Sequence, residues 1–77
     1  MTKFTEIKIE NISDLYLFVD KASQIDGDII VKRGKFAVDG KSLLGVLSLD
    51  MSQGAVVIYP ESALEFDSFC QYFKTNN

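Results

Sequence analysis

Hydrophobic and polar positions alternate at the start of the chain. Thr5, Ile7 and Ile9 lie on one side of an extended segment from Lys3 to Ile9, and charged residues stand between them. A period of two is typical of a β-strand with one buried and one solvated face. The pattern therefore predicts a half-buried first strand.

The next segment changes to helical spacing. Its apolar positions are Leu15, Phe18, Val19, Ala22 and Ile25. Ser13 or Asp14 can begin this helix, because either side-chain oxygen can accept a hydrogen bond from a first-turn N–H. Asp26-Gly27 favours its end.

Two short strands are predicted next, because β-branched residues are concentrated from Ile29 to Val31. The strands run from 28 to 33 and from 35 to 38, and Gly34 joins them as a hairpin. Ser42 to Leu49 then favours a helix of about two turns with little polar surface.

The last third of the chain predicts a buried strand followed by a helix. Ala55 to Tyr59 is an unbroken apolar run between the Gln53-Gly54 turn and Pro60. Ser62 can cap the final helix, whose core stripe comprises Ala63, Phe66, Phe69, Cys70 and Phe73. The predicted order is β-α-β-β-α-β-α.

Length and charge limit the class of protein. The 77 residues allow one domain, 1–77, and 47% hydrophobic residues suffice for one core. Eleven acidic against eight basic residues give a net charge of −3, which argues against nucleic acid and membrane surfaces as partners. We find no apolar run long enough for a membrane span, and we expect a cytoplasmic protein without a signal peptide.

The composition offers little for metal or redox chemistry. Cys70 is the single cysteine, and its helical apolar setting indicates an inert core residue. Asp26 and Asp28 flank a glycine, but no bidentate carboxylate follows at the spacing of a calcium loop. We expect no metal site and no cofactor.

Two stretches of the chain resemble the HPr family, the phosphocarriers of the bacterial sugar phosphotransferase system. The first stretch, Gly40 to Leu49 with Gln53 to Ile58, is similar to the family's Lys-Ser, apolar helix and Val-rich strand. The second stretch, Phe18 to Ile29, is similar to the family's first helix and second strand. The resemblance implies an α+β fold, an HPr-like open-faced β-sandwich. In that fold three helices cover one face of a four-stranded antiparallel sheet.

The resemblance breaks down where the family carries its phosphoryl group. Family members have a histidine and an arginine in the loop before the first helix, whereas this chain contains no histidine. Ungapped counting places Asn11 at the histidine, Ser13 at the arginine and Asp14 at the proline. We therefore assign no catalytic residue, expect no enzyme activity or small-molecule substrate, and regard a divergent phosphocarrier as the least favoured alternative.

Ser42 matches the family's second modification site. In HPr of many Gram-positive bacteria, and in the histidine-less relative Crh, a dedicated HPr kinase phosphorylates the matching serine. The resemblance thus implies Ser42 as a candidate for regulatory phosphorylation, with an HPr kinase or a transcriptional regulator as protein partner. A serine at this place is equally a good helix N-cap.

Four leucines form a candidate docking surface. They are Leu17, Leu43, Leu44 and Leu47. HPr-like proteins bind partners through the corresponding helices, although the same leucines can instead complete the core. The favoured interpretation is an HPr-like regulatory or protein-binding module that lacks the phosphoryl-accepting histidine, with a Ser42-phosphorylated, Crh-like catabolite regulator as the alternative.

Overall fold

The computed structural model describes residues 1–75. The strands are β1 (Thr2–Ile7), β2 (Ile30–Arg33), β3 (Phe36–Asp39) and β4 (Ala55–Pro60), and the helices are α1 (Ile12–Ser23), α2 (Leu43–Ser48) and α3 (Leu64–Tyr72). A short 3₁₀ turn, Met51–Gln53, precedes β4.

The four strands form one antiparallel sheet in the order β1-β4-β2-β3. One level of the register runs across all four strands through Thr5, Val57, Val31 and Val38. The first three of these side chains are buried and the fourth is half-buried. Since side chains alternate between faces, the residues at this level point toward the helices and their neighbours along each strand point outward.

The core lies between the sheet and the helices. Its fully buried large side chains include Phe18 from α1, Val46 from α2, Tyr59 from β4 and Phe66 from α3. The Phe66 ring centroid lies 5.6 Å from that of Phe18 and 5.4 Å from that of Tyr59. The predicted α+β open-faced sandwich, with a four-stranded antiparallel sheet and three helices, is confirmed.

Two predicted helix caps are wrong. Asn11, not Ser13 or Asp14, caps α1, because its extended backbone (φ −108°) turns its side chain toward the amide of Ser13. Ala63 occupies the N-cap position of α3 without a side-chain hydrogen bond, so Ser62 is not the cap.

The hairpin between β2 and β3 turns at Gly34 as predicted. This glycine has φ +60°, in the left-handed region that residues with a side chain rarely adopt. The strand bounds differ by up to two residues from those predicted, since β2 begins at Ile30 and β3 spans Phe36–Asp39. Within residues 1–75, we observe no helix with the length and hydropathy needed to cross a membrane.

Candidate functional site

Five large apolar side chains are exposed on neighbouring flanks of α1 and α2. They are Ile12 and Tyr16 on α1 and Leu43, Leu44 and Leu47 on α2. Their exposed fractions run from 37% for Leu43 to 81% for Leu44, so none of the three leucines completes the core. We call these five residues the α1–α2 face.

The position of α2 follows from one buried residue. Val46 is fully buried, and Gly45 lies against Val38 of β3. Because successive helical residues are rotated by about 100°, the three leucines fall on the opposite flank of the helix, away from β3. The apolar character of α2 therefore produces a surface as well as a core contact.

A surface pocket of about 210 Å³ joins the two helices. Ile12, Leu15 and Leu47 provide its apolar wall. Glu10 and Asp50 stand at the same pocket, and Asp50 adopts a left-handed backbone (φ 54°) while accepting a 2.5 Å hydrogen bond from the Ser52 hydroxyl. Two carboxylates at the rim favour a cationic or neutral ligand group over an anion.

Leu17 does not join this surface. It lies one turn before Lys21, whose ammonium group is 5.9 Å from the Phe69 ring centroid of α3. Leu17 therefore faces the α3 flank of α1, about 100° around the helix from Tyr16. It is 42% exposed, and this helical position favours a place outside the α1–α2 face.

Asn11, at the position counted for the family histidine, closes the N-terminus of α1. Its Oδ1 accepts hydrogen bonds from the Ser13 amide at 2.8 Å and the Ser13 hydroxyl at 2.5 Å. One of the first-turn amides that could bind an anion, that of Ser13, is thus already paired with a side chain. Glu10 precedes this cap and Asp14 lies in the first turn, which adds negative charge.

Ser42 occupies the N-cap of α2, as predicted. Its Oγ accepts a hydrogen bond from the Gly45 amide at 3.2 Å, and the residue is half-buried. The neighbouring Lys41 ammonium donates to the carbonyl of Ile25 at 2.7 Å, so this cation is engaged at the end of α1.

A separate polar cluster lies beneath α3. The Tyr59 hydroxyl donates to Asp67 Oδ1 at 2.5 Å and lies 2.8 Å from the Thr5 hydroxyl, while Lys3 Nζ is 3.0 Å from the same Asp67 oxygen. Burial, followed by the hydrogen bond to Asp67, raises the pKa of Tyr59 to about 12. The hydrogen bond from Tyr59, followed by that from Lys3, lowers the pKa of Asp67. This cluster connects α3 to β1 and β4.

The single cysteine, Cys70, is buried in the core. Burial raises the pKa of the Cys70 thiol to about 12, so the thiol stays protonated near neutral pH. Among residues 1–75, no three His, Cys, Asp or Glu side chains lie close enough to hold a metal ion.

Sequence reasoning missed Ile12 and Tyr16. A cap at Ser13 or Asp14 leaves Ile12 outside the predicted helix. Moving the cap to Asn11 puts Ile12 at the first helical position, and Tyr16 then follows at i+4 on the same side. This i, i+4 spacing is the signal in the sequence from which the two exposed residues could have been predicted.

Comparisons with known proteins agree with the fold. No curated protein sequence matches the chain. The crystal structure of a phosphocarrier protein HPr from Bacillus anthracis str. Ames has a TM-score of 0.72 at 21% identity, covering 96% of both chains. The crystal structure of HPr-C-His from Thermoanaerobacter tengcongensis has a TM-score of 0.73 at 28% identity, covering 92% of this chain and 91% of that one.

The family assignment rests on the sequence itself. The family model PTS-HPr, described as "PTS HPr component phosphorylation site", matches residues 16–59. The match contains β2, β3, α2 and most of α1 and β4, including Ser42 and the leucines of α2. Because it extends over more than half of the chain, this protein belongs to the HPr family.

Proposed function

We propose that this HPr-family protein has lost phosphoryl transfer through histidine and acts as a regulatory protein-binding module. The observation that carries the proposal is the α1–α2 face, where five large apolar side chains remain exposed in a chain without histidine. Contiguous exposed apolar surface marks sites of protein association. We propose further that the protein is cytoplasmic, has no enzyme activity and needs no cofactor.

The residues at the start of α1 support the loss of carrier chemistry. An asparagine side chain is an amide, which has no imidazole nitrogen to accept a phosphoryl group. The Asn11 oxygen is already committed to capping α1. Glu10 at the pocket rim and Asp14 in the first turn would repel an incoming phosphate dianion.

The side chains of the α1–α2 face and its rim indicate which kind of partner it can bind. Apolar anchors such as Leu44 and Tyr16 suit a protein surface with complementary apolar side chains. The carboxylates of Glu10 and Asp50 at the rim suit basic residues around that anchor. An HPr kinase or a transcriptional regulator with such a surface is the proposed class of partner.

The first experiment tests the loss of the relay. Incubation with phosphoenolpyruvate and Enzyme I should leave the intact mass of this chain unchanged, whereas a histidine-containing HPr in the same mixture should gain one phosphate. Acid-labile phosphate on this chain would overturn the proposal.

The second experiment tests the surface. Leu44→Glu on the α1–α2 face should abolish binding to a partner identified by pull-down and then purified. Leu64→Glu is a matched control, because Leu64 is 73% exposed on α3 and Leu44 is 81% exposed on α2. Both variants should keep the far-ultraviolet circular dichroism of the parent.

Equal partner binding by the two variants would remove the α1–α2 face as the docking surface. Loss of helical signal in Leu44→Glu alone would show that this leucine supports α2 instead, and the milder Leu44→Ser would then decide between the two.

A second candidate function is regulation by phosphorylation at Ser42. Ser42 lies within the matched family segment at the start of α2, and its Oγ accepts a hydrogen bond from the Gly45 amide in the first turn. A phosphate there would lie near the amides of Leu44 and Gly45 and near the positive end of the helix dipole. Since Leu43 and Leu44 follow directly, the added charge would change the α1–α2 face.

An HPr kinase from the same organism should then add one phosphate to the parent and none to Ser42→Ala. Ser42→Asp should change partner affinity by about tenfold, or ~1.4 kcal/mol. No kinase product, together with equal partner binding by Ser42→Ala and Ser42→Asp, would leave Ser42 as a helix cap alone.

A further inference from the structure

The outer face of the sheet, on the side away from all three helices, is largely apolar. Phe4 of β1, Ile58 of β4 and Ile30 of β2 are cross-strand neighbours and form one row across it. Phe4 is 65% exposed, and the two isoleucines are half-buried although no helix or strand of residues 1–75 packs over them. Apolar side chains in such a row are unusual on a sheet face that contacts only water.

The next row on this face carries the charges. Glu6 of β1, Val56 of β4 and Lys32 of β2 are cross-strand neighbours there. The structure describes all residues of β1, β4 and β2. Among the outward positions of these three strands, Glu6 and Lys32 are the two charged residues. Two strand spacings, about 10 Å, separate them, so they do not pair within one chain.

We propose that this face binds a second copy of the chain, with the two sheets stacked about a two-fold axis parallel to β4. Rotation about that axis exchanges the positions of β1 and β2. Glu6 then lies opposite Lys32 of the second copy, and Lys32 lies opposite Glu6 of the second copy. The same operation places Phe4 over Ile30 of the second copy, while Val56 and Ile58 meet their own equivalents.

The geometry of stacked sheets accommodates this arrangement. Sheets pack about 10 Å apart with strands crossing at about −30°, and at that separation Glu and Lys side chains can meet between the layers. The outward residues of β3, Ala37 and Asp39, lie beyond β2 and have no strand opposite them in the second copy. Among the outward positions of β1, β4 and β2, the rotation therefore places only opposite charges across from one another.

The dimer is expected to be weak. A contact three strands wide is small compared with standard interfaces, so we expect the dimer to form only at high protein concentration. The α1–α2 face lies on the opposite side of each chain and remains free. This proposal is therefore independent of the proposed function.

The first test is the dependence of mass on concentration. Sedimentation equilibrium should give the monomer mass of 8.6 kDa at ~10 μM and approach twice that mass at millimolar concentration. On dilution, amide resonances of Phe4, Ile30 and Ile58 should shift more than those of α2.

Charge reversal tests the symmetry. Glu6→Lys alone and Lys32→Glu alone each place like charges opposite one another, so each should weaken the dimer by about tenfold or more. An equimolar mixture of these two variants should dimerise at least as well as the parent, because both pairs become opposite in sign. The double variant E6K/K32E, with the net charge of the parent, should also dimerise normally.

A matched control carries the charge change of Glu6→Lys on the helix side of the chain. Glu65→Lys on α3 changes an exposed residue and should leave the dimer unchanged. Phe4→Ser removes an exposed ring and should weaken the dimer without lowering helical content. A strictly monomeric parent at ~1 mM would overturn the proposal, and so would a dimer that Leu44→Glu disrupts while E6K and K32E do not.

Discussion

Gly40 shows how a single residue without a side chain allows a close approach to a buried neighbour, Ile29. It is buried beside the start of β2, and its amide donates to the carbonyl of Ile29 at 2.7 Å. A Cβ at position 40 would lie 2.5 Å from Ile29 Cγ2 and 3.1 Å from Ile29 Cβ. Ile29 is fully buried, so it has little room to move away.

Gly40→Ala should therefore lower the free energy of unfolding by about 1–3 kcal/mol, as overpacking of a core does. Urea unfolding followed by circular dichroism measures the change. In the Ile29→Ala background the Cγ2 clash is gone, so the second substitution should cost less there than in the parent. Equal costs in the two backgrounds would show that the contact with Ile29 is not the cause.

At the scale of elements, α3 depends on packing for its stability. Its N-cap position holds Ala63 without a capping hydrogen bond, and nine residues make a marginal isolated helix. Phe66 and Cys70 are its buried residues, and Phe66 contacts the rings of Phe18 and Tyr59. The buried ring therefore attaches α3 to both α1 and β4.

Phe66→Ala should destabilise the protein by about 3–5 kcal/mol, which can unfold a domain with a total stability of about 5–15 kcal/mol. Leu64→Ala is the control on the same helix, because Leu64 is 73% exposed and its truncation should stay within about 0.5 kcal/mol of the parent. Thermal and urea unfolding compare the two. Similar losses from both variants would contradict the assignment of the buried face.

At the scale of the whole molecule, the cluster beneath α3 couples folding to pH. Asp67 lies on α3, and it accepts hydrogen bonds from Tyr59 of β4 and Lys3 of β1. The Tyr59 hydrogen bond, followed by that of Lys3, holds the pKa of Asp67 below its ordinary value of 3.8. In the pH interval between the two values, the unfolded chain binds more protons at this carboxyl than the folded chain does.

The contribution of Asp67 to stability should be fully present above pH 3.8 and should be lost as the pH falls through the lower folded pKa. Urea unfolding at a series of pH values from 2 to 6 measures it. Asp67→Asn should flatten the acid slope, and Tyr59→Phe should reduce it, since the largest cause of the lowered pKa is gone. An unchanged acid slope in Asp67→Asn would show that other carboxyl groups account for it.

The sequence by itself determined the order of elements and most of the core. Periods of two and of about 3.6 depend on which positions are apolar, so they predicted the sheet strands and the burial of Phe18 and Phe66. The hydroxyl of Ser42 indicated the cap of α2. Membership of the HPr family was also readable from Gly40–Leu49 and its neighbours, because those residues form a local pattern.

Only the tertiary structure decided the caps of α1 and α3 and the two apolar surfaces. A capping residue is chosen by backbone angles at the junction, and several polar residues such as Asn11 and Ser13 compete for it. Which flank of α1 faces α2 depends on how both helices sit on the sheet. Likewise, the outer rows through Phe4 and Glu6 exist only because β4 lies between β1 and β2, a pairing between residues far apart in the chain.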